Sequence, residues 1–351
     1  MRATGRSPLL NHLTPNHLMT ENWNLLGHDW AVDMLSQHVA NGAQRHAYLF
    51  TGSPSVGRRS LALAFARALT CSQLADPPAP DAFCGECREC RQIGAMQHPD
   101  LHVIQAEKEG GILKVEQIRE LRKSVLLSPY QAKYRIVLLL RFQEANPSAA
   151  NALLKTLEEA PSKVILLLTA DNPEQLLPTI VSRCEVLRLR PVPIPQLETY
   201  LREKGADEEK AKFLAHLSAG RTGYALRLLE DESSLDFRNE KLDEFSSLLE
   251  ASRVERFAYA EKNVKDKEEF RKTLLLWLSL WRDVMLFVAG DEESLVNIDQ
   301  RELIKKLAEQ LNLSEAKKLL NATENGIGQL KRNINARLLA EVILLDFPQL
   351  K

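Results

Sequence analysis

The sequence predicts a five-stranded parallel α/β domain with helices on both faces of its sheet, followed by an all-α half. Three observations predict it. Short apolar runs alternate with helical patterns from His46 to Leu189, and Gly52 and Gly57 stand five positions apart directly after the first run. Beyond Pro191, Pro193 and Pro195 the strand signals stop. Strands that alternate with helices need right-handed crossovers, and therefore a parallel sheet covered on both sides.

Each element has its own signal. His46 to Thr51 reads as a strand that ends at the glycine loop, and Ser60 to Leu69 as a helix with Leu61, Phe65 and Leu69 on one face. Leu101 to Gln105 is a second strand. Lys114 to Val125 follows as a helix that turns Val115, Ile118, Leu121 and Val125 inward. Arg135 to Leu140 is nearly unbroken apolar sequence, as expected of a central parallel strand buried on both faces. A helix over Ala149 to Glu159, with Ala150, Leu153, Leu154 and Leu157 inward, leads to a strand at Val164 to Thr169. A short helix near Glu174 to Val181 and a last strand, Glu185 to Leu189, complete the domain. After the prolines, Pro195 to about Glu230 reads as a small helical domain in which Gly205 and Gly220 stop helices. A second, Leu-rich helical unit runs from about Leu235 to Lys351, with an acidic break from Asp291 to Asp299.

The loop Gly52-Ser-Pro-Ser-Val-Gly57 has the glycine spacing that lets backbone N–H groups curl around phosphate at a helix start. The next two positions should be Lys and Ser/Thr but are Arg58 and Arg59, and Arg59 has no hydroxyl for Mg²⁺. Ser60 lies one step further on and points elsewhere, because a helical step turns a side chain by about 100°. A nucleotide hydrolase also needs carboxylates at the end of a central strand. Here Leu140 is followed by Arg141, Phe142 and Gln143, and the nearest acid, Glu144, lies well past the strand end. The strand ending at Thr169 runs into Ala170 and Asp171. These residues predict a nucleotide-binding fold that does not turn nucleotide over.

Cys71, Cys84, Cys87 and Cys90 make a second constellation. Thiolates two residues apart can face one ion, and four of them suit tetrahedral Zn²⁺ with no open position, hence a structural site. The linking segment carries Pro77, Pro78 and Pro80 and cannot be helix. An iron–sulfur site is disfavoured because position 94 is Gly where a ferredoxin run has its fourth Cys. The fifth thiol, Cys184, reads as a small packed residue.

The chain has 351 residues, with 46 basic and 47 acidic side chains. That is enough for two or three domains, and the charge balance excludes a globally basic nucleic-acid binder. The first 22 residues are expected to be a disordered arm without a signal peptide, with Met19 as an alternative start. Leu274 to Ala289 is the most apolar stretch, but Ser279, Arg282 and Asp283 interrupt it. It is too short for a bilayer and reads as a buried helix of a cytoplasmic protein, its apolar surface needing a partner or a thick core.

Ala149-Ala-Asn-Ala-Leu-Leu-Lys-Thr-Leu-Glu-Glu-Ala-Pro161 and Leu176-Leu-Pro-Thr-Ile-Val-Ser-Arg-Cys184 resemble the matching motifs of the AAA+ subunits of bacterial sliding-clamp loaders. The resemblance runs from about Trp23 to the C-terminus, strongly to Arg190 and architecturally beyond. It implies an AAA+ domain at 23–190 with a zinc module inserted at 71–90, a helical lid at 191–234 and an oligomerising collar at 235–351. Active members carry acids where this chain has Leu140 and Arg141, and Lys-Ser/Thr near Arg58 and Arg59. Members that lose both act as rigid stators, and ATP is then expected to be unbound or not hydrolysed. The family's Ser-Arg-Cys motif, here Ser182-Arg183-Cys184, implies that Arg183 is an arginine finger for ATP on a neighbouring subunit. The family's lid arginine would fall at Gly223, so that sensor is missing too. The implied partners are gamma/tau-type ATPase and delta subunits of a DNA polymerase holoenzyme, with the sliding clamp reached through the complex. Lys114, Arg119, Arg122 and Lys123 are implied to make phosphate contacts with DNA, without sequence readout. Two alternatives stand beside the stator: an active clamp-loader ATPase of gamma/tau type, and a zinc-stabilised DNA-binding adaptor.

Overall fold

A computed structural model of the chain describes residues 23, 25–73, 83–159, 161–231, 233–330 and 334–350. The expected arm at 1–22, Met19 and the prolines at 77, 78 and 80 lie outside the described residues. The chain divides into two compact units, residues 1–192 and 193–351, so the break falls within the proline cluster.

In the first unit, β1 (Ala47–Thr51), β2 (Leu101–Ile104), β3 (Arg135–Leu139), β4 (Val164–Ala170) and β5 (Glu185–Arg188) form one sheet in the order β2-β3-β4-β1-β5. All four pairings are parallel. Every residue of β1, β3 and β4 is buried, as a strand covered on both faces requires. Alternate side chains feed two cores. Tyr48, Phe50, Ile136, Leu138, Ile165 and Leu167 pack under α1 (Asp29–Ala40), α2 (Arg58–Thr70) and α3 (Arg88–Gly94). Ala47, Leu49, Val137, Leu139, Leu166 and Leu168 pack on the other face, under α4 (Val115–Val125), α5 (Pro147–Glu158) and α6 (Pro178–Val181).

The five strands and the helices after β1, β2 and β3 stand within a residue or two of their expected positions. Val115 is only half-buried, whereas Ile118, Leu121 and Val125 are inside. The single helix expected near Glu174 to Val181 is two pieces, a 3₁₀ turn at Pro173–Gln175 and α6. Pro178 sits at the first position of α6; its ring disfavours a helical residue before it, so the two turns cannot fuse. The helices α1 and α3 were not anticipated.

The second unit is wholly helical among the described residues: α7 (Ile194–Glu203), α8 (Glu208–Leu217), α9 (Thr222–Glu230), α10 (Ser233–Glu250), α11 (Arg253–Asn263), α12 (Lys267–Val288), α13 (Arg301–Gln310), α14 (Leu313–Leu330) and α15 (Ala336–Leu345). Gly205 and Gly220 follow α7 and α8 with φ of +96° and +75°, the left-handed conformation that ends a helix. The apolar stretch of α12 is the spine of a thick core. Leu274, Trp277, Leu280, Trp281 and Val284 are buried, with Phe245 and Phe347 ringing the two tryptophans at centroid distances of 5.1–5.8 Å. The acidic break is tied to that helix, because buried Asp283 accepts the backbone N–H of Asn297 at 2.7 Å and of Val296 at 3.1 Å. Buried Arg256 donates to five main-chain oxygens, those of Leu248, Leu249, Leu344, Phe347 and Pro348. It thereby joins the carboxyl ends of α10 and α15, where unpaired carbonyls and the helix dipoles favour a cation. No described helix is long and apolar enough to cross a membrane.

Candidate functional site

The glycine loop runs from the end of β1 to the start of α2. Gly52 has φ +146°, and a Cβ there would lie 2.4 Å from the carbonyl oxygen of Leu189, so any side chain would collide with the chain leaving β5. Gly57 caps α2 with φ +111°. Parts of the loop are already engaged. The N–H of Gly52 donates to the Asp171 carbonyl at 3.2 Å, and that of Val56 to Ser53 at 3.3 Å. His28, buried at the start of α1, has its Nε2 2.8 Å from the Val56 carbonyl. Burial lowers its pKa below the usual histidine value, which keeps the ring neutral and Nε2–H the donor. No sequence pattern announces this contact, which spans 28 residues.

Arg58 and Arg59 place two cations at the positive end of a helix, where a charge of that sign is disfavoured. The fold answers with Asp171, just past β4. Its Oδ1 lies 2.7 Å from Nη1 of Arg58, whose side chain is only 10% exposed. Arg59 turns outward and donates to the Met96 sulfur, and Ser60 is exposed. After β3, Leu140 is buried and Arg141 takes a left-handed conformation, with its N–H donating to Thr169 Oγ1 at 2.9 Å. Glu144 accepts from Arg141 Nε at 2.9 Å and from the Gly110 N–H at 2.8 Å, which commits it to bracing a loop.

The four cysteines converge. Their Sγ atoms all lie within 4.8 Å of one another, with Cys71 3.7 Å from Cys84 and 3.9 Å from Cys87. A tetrahedron with Zn–S bonds of 2.3 Å has edges of about 3.8 Å, so the set is already near the spacing a zinc ion would impose. Backbone N–H groups of Cys84, Cys87 and Cys90 point at the sulfurs of Cys71, Cys84 and Cys87 at 3.3–3.5 Å, which orients the sulfurs and favours thiolate. The N–H groups of Cys87 and Glu86 bring the exposed Cys84 thiol down to about 7, while burial pushes Cys71 and Cys90 up. The cluster could hold a structural metal ion through four thiolates. Phe83 fixes the module against Trp23, edge to face at 5.7 Å, and beneath the Arg67 guanidinium at 5.8 Å.

Arg183 follows α6 at the surface, its side chain 36% exposed. Nη2 donates to Glu158 Oε1 at 2.7 Å and Nη1 to the Thr179 carbonyl at 2.9 Å, so the guanidinium is oriented by the end of α5. Ser182 donates to Thr179, and Cys184 packs into the second core, where burial pushes its thiol up to about 12. In the second unit Gly223 lies in the first turn of α9 and brings no cation; the neighbouring Arg221 donates to Ser218 O at 2.7 Å and covers the Tyr224 ring. The four cations expected on α4 separate. Lys114 stands at the helix start, 3.9 Å from Glu107, whereas Arg119, Arg122 and Lys123 line a groove against α5.

The sheet order, with the glycine loop at the strand between β4 and β5, and the helical continuation define a P-loop protein of the AAA+ class. Residues 27–193 match the family model described as DNA polymerase III, delta subunit, and residues 233–349 the one for the C-terminal part of that subunit. The chain belongs to the delta-prime subunit family of bacterial DNA polymerase III, a clamp-loader family. It is 32% identical to DNA polymerase III subunit delta' of Yersinia pestis, over 78% of this chain and 80% of that one. It is 27% identical to subunit delta' of Bacillus subtilis over 90% and 94%. Subunit tau of Escherichia coli is 33% identical over 59% of this chain and 32% of its own length.

Proposed function

We propose that this chain is the non-catalytic stator of a clamp loader, a rigid subunit whose chemistry is exerted on its neighbour. The carrying observation is the Arg58–Asp171 pair. In a working P-loop the first cation after the glycines meets nucleotide phosphates; here an internal carboxylate takes that place at 2.7 Å. The position that should supply a Mg²⁺-ligating hydroxyl is Arg59, and the end of β3 supplies Arg141 in place of an acid. Among the described residues, position 59 and the end of β3 offer no hydroxyl or carboxylate to hold Mg²⁺ or polarise water, and Asp171 is engaged by Arg58, which favours this reading over an ATPase of gamma/tau type.

Arg183 is the residue proposed to act in trans. It projects from the surface beside α6, already oriented by Glu158, and could exchange that carboxylate for the γ-phosphate of ATP on an adjoining ATPase subunit. A fixed cation there stabilises charge that develops during phosphoryl transfer. The four-cysteine module is proposed to hold a structural Zn²⁺ through Cys71, Cys84, Cys87 and Cys90, which would lock the segment between α2 and α3. The helices of 235–351 are proposed as the collar that joins ATPase and delta subunits, with 191–234 as the lid, in a cytoplasmic complex that places the clamp on primed DNA. Lys114, Arg119, Arg122 and Lys123, at the start of and along α4, are proposed to make nonspecific phosphate contacts with DNA. Reconstitution with ATPase and delta subunits tests the proposal: DNA-stimulated ATP hydrolysis should appear only with partners present and collapse with Arg183→Ala. Turnover by the isolated chain would refute it.

A further inference from the structure

We infer that Cys84 is the point at which the four-cysteine module reacts with hydroperoxides, forming a disulfide with Cys71 that expels the metal ion. The inference rests on the reading of the module as a zinc site, and it adds a reaction that a purely structural site would not have. Three of the four residues are sheltered: Cys71 and Cys90 are buried and Cys87 is half-buried, whereas Cys84 is exposed. An oxidant arriving from solvent therefore meets Cys84 first. The Cys71 sulfur faces it at 3.7 Å, and the Cys84 N–H donates to that same sulfur at 3.5 Å. The other two thiols are less available. Cys87 caps α3, its sulfur accepting the Cys90 N–H at 3.4 Å, and Cys90 lies wholly inside.

The peroxide is the sole co-reactant. The Cys84 thiolate attacks one peroxide oxygen, the O–O bond breaks, and Cys84 becomes a sulfenic acid as hydroxide leaves. The Cys71 thiolate then attacks the Cys84 sulfur and displaces a second hydroxide, which forms the S–S bond. Two electrons pass from the sulfur pair to the peroxide, and two solvent protons turn the hydroxides into water. Cys87 and Cys90 are left as two thiolates, too few to hold a tetrahedral ion. The element that loses its anchor is α3. It is also tied to the end of α2, where Ser72 donates to Glu89 at 2.8 Å and the Arg67 guanidinium lies so close to Gly94 that a side chain there would collide with it. A helix of seven residues does not hold itself in water, so oxidation should loosen α3 and spare the sheet.

The test uses the purified full-length chain, kept reduced under nitrogen, with hydrogen peroxide as the probe. Metal analysis of the untreated chain comes first; a zinc-sensitive dye then follows release, and mass spectrometry with alkylation before and after reduction maps the thiols. The expected result is one zinc ion released per disulfide formed, a mass lower by two hydrogens and the bond at Cys71–Cys84. Cys184, packed in the second core, should stay reduced. Amide exchange in α3 should quicken by roughly tenfold or more while that of β1, β3 and β4 holds, and a dithiol with added zinc should reverse both changes. Zinc retained under peroxide, or released with a bond between any other pair of thiols, overturns the inference and leaves the zinc reading standing. A reduced chain that carries no zinc refutes that reading and the inference with it.

Discussion

Nη1 of Arg58 and Oδ1 of Asp171 stand 2.7 Å apart, across the loop where a working P-loop would hold phosphate. The pair joins the first residue of α2 to the residue after β4, so it closes the loop with the fold's own charge. By calorimetry the wild-type chain is expected to show no Mg²⁺-dependent affinity for ATP. Asp171→Ala frees the guanidinium and should admit weak pyrophosphate binding that Mg²⁺ does not strengthen, because position 59 has no hydroxyl. Since Asp171 is partly exposed, the loss of folding stability should be only about 1 kcal/mol.

Arg183→Ala should separate function from folding. Its ion pair with Glu158 is solvated, at 36% and 49% exposure, so the unfolding free energy from urea melts should change by less than about 0.5 kcal/mol. Single-turnover ATP hydrolysis in the reconstituted complex should fall by on the order of 10³-fold. Arg183→Lys should recover little of it, because an ammonium lacks the planar fork.

Chelation tests the cysteine module. Metal analysis should find one zinc ion per chain, and Cys90→Ser should abolish it. Thiols must lose their protons to bind zinc, so affinity should fall as pH falls. Cys84, with a pKa near 7, is the readiest ligand, while Cys71 and Cys90 are raised by burial and should release protons on loading, which titration in buffers of different ionisation enthalpy measures.

Asp100 provides a pH-dependent stabilisation. Burial opposes its ionisation, but the N–H groups of Gln131, Ala132 and Tyr130, with His98, outweigh that and hold its carboxyl below the usual range. A depressed pKa in the folded state means that the unfolded chain binds the proton more readily. Its contribution is therefore complete above the ordinary carboxylate value of about 3.9 and is lost as pH falls through the lower folded value. Denaturant melts between pH 5 and about 2.5 should show this slope, and Asp100→Asn should remove part of it. Arg135 Nη2 lies 3.5 Å from Asp100 Oδ1, both buried, so at neutral pH that substitution should cost roughly 3 kcal/mol because it leaves the guanidinium without its carboxylate.

Arg256 should matter to the second unit as Asp100 does to the first. Arg256→Lys keeps the charge but offers three donors to carbonyls that a five-donor fork now serves, and should cost roughly 1–3 kcal/mol. Near-ultraviolet dichroism of Trp277 and Trp281, which pack against Phe347 at one end of that bond network, reports the loss.

The sequence by itself determined the strands, most of the helices around them, the change to helix at the prolines and the cysteine set, because each is written in local signals. Apolar period, proline chemistry and x2 thiol spacing act over a few residues, and a parallel sheet follows once strands alternate with helices, whereas the strand order came only with the fold. It also showed which groups the nucleotide loop lacks, since absence can be read from position alone. Only the tertiary structure decided what took their place. Asp171 is 113 positions from Arg58 in the chain, Glu158 is 25 from Arg183, and His28 is 28 from Val56. None of these partners is marked by residue type, because a surface Asp or Glu has the same appearance in sequence whether it is solvated or paired. The braced loop at Leu126–Tyr130 escaped for the same reason: what holds it, Asp100, stands just before β2 and 30 positions from Tyr130, and a braced loop differs from a loose one only in contacts that the fold creates.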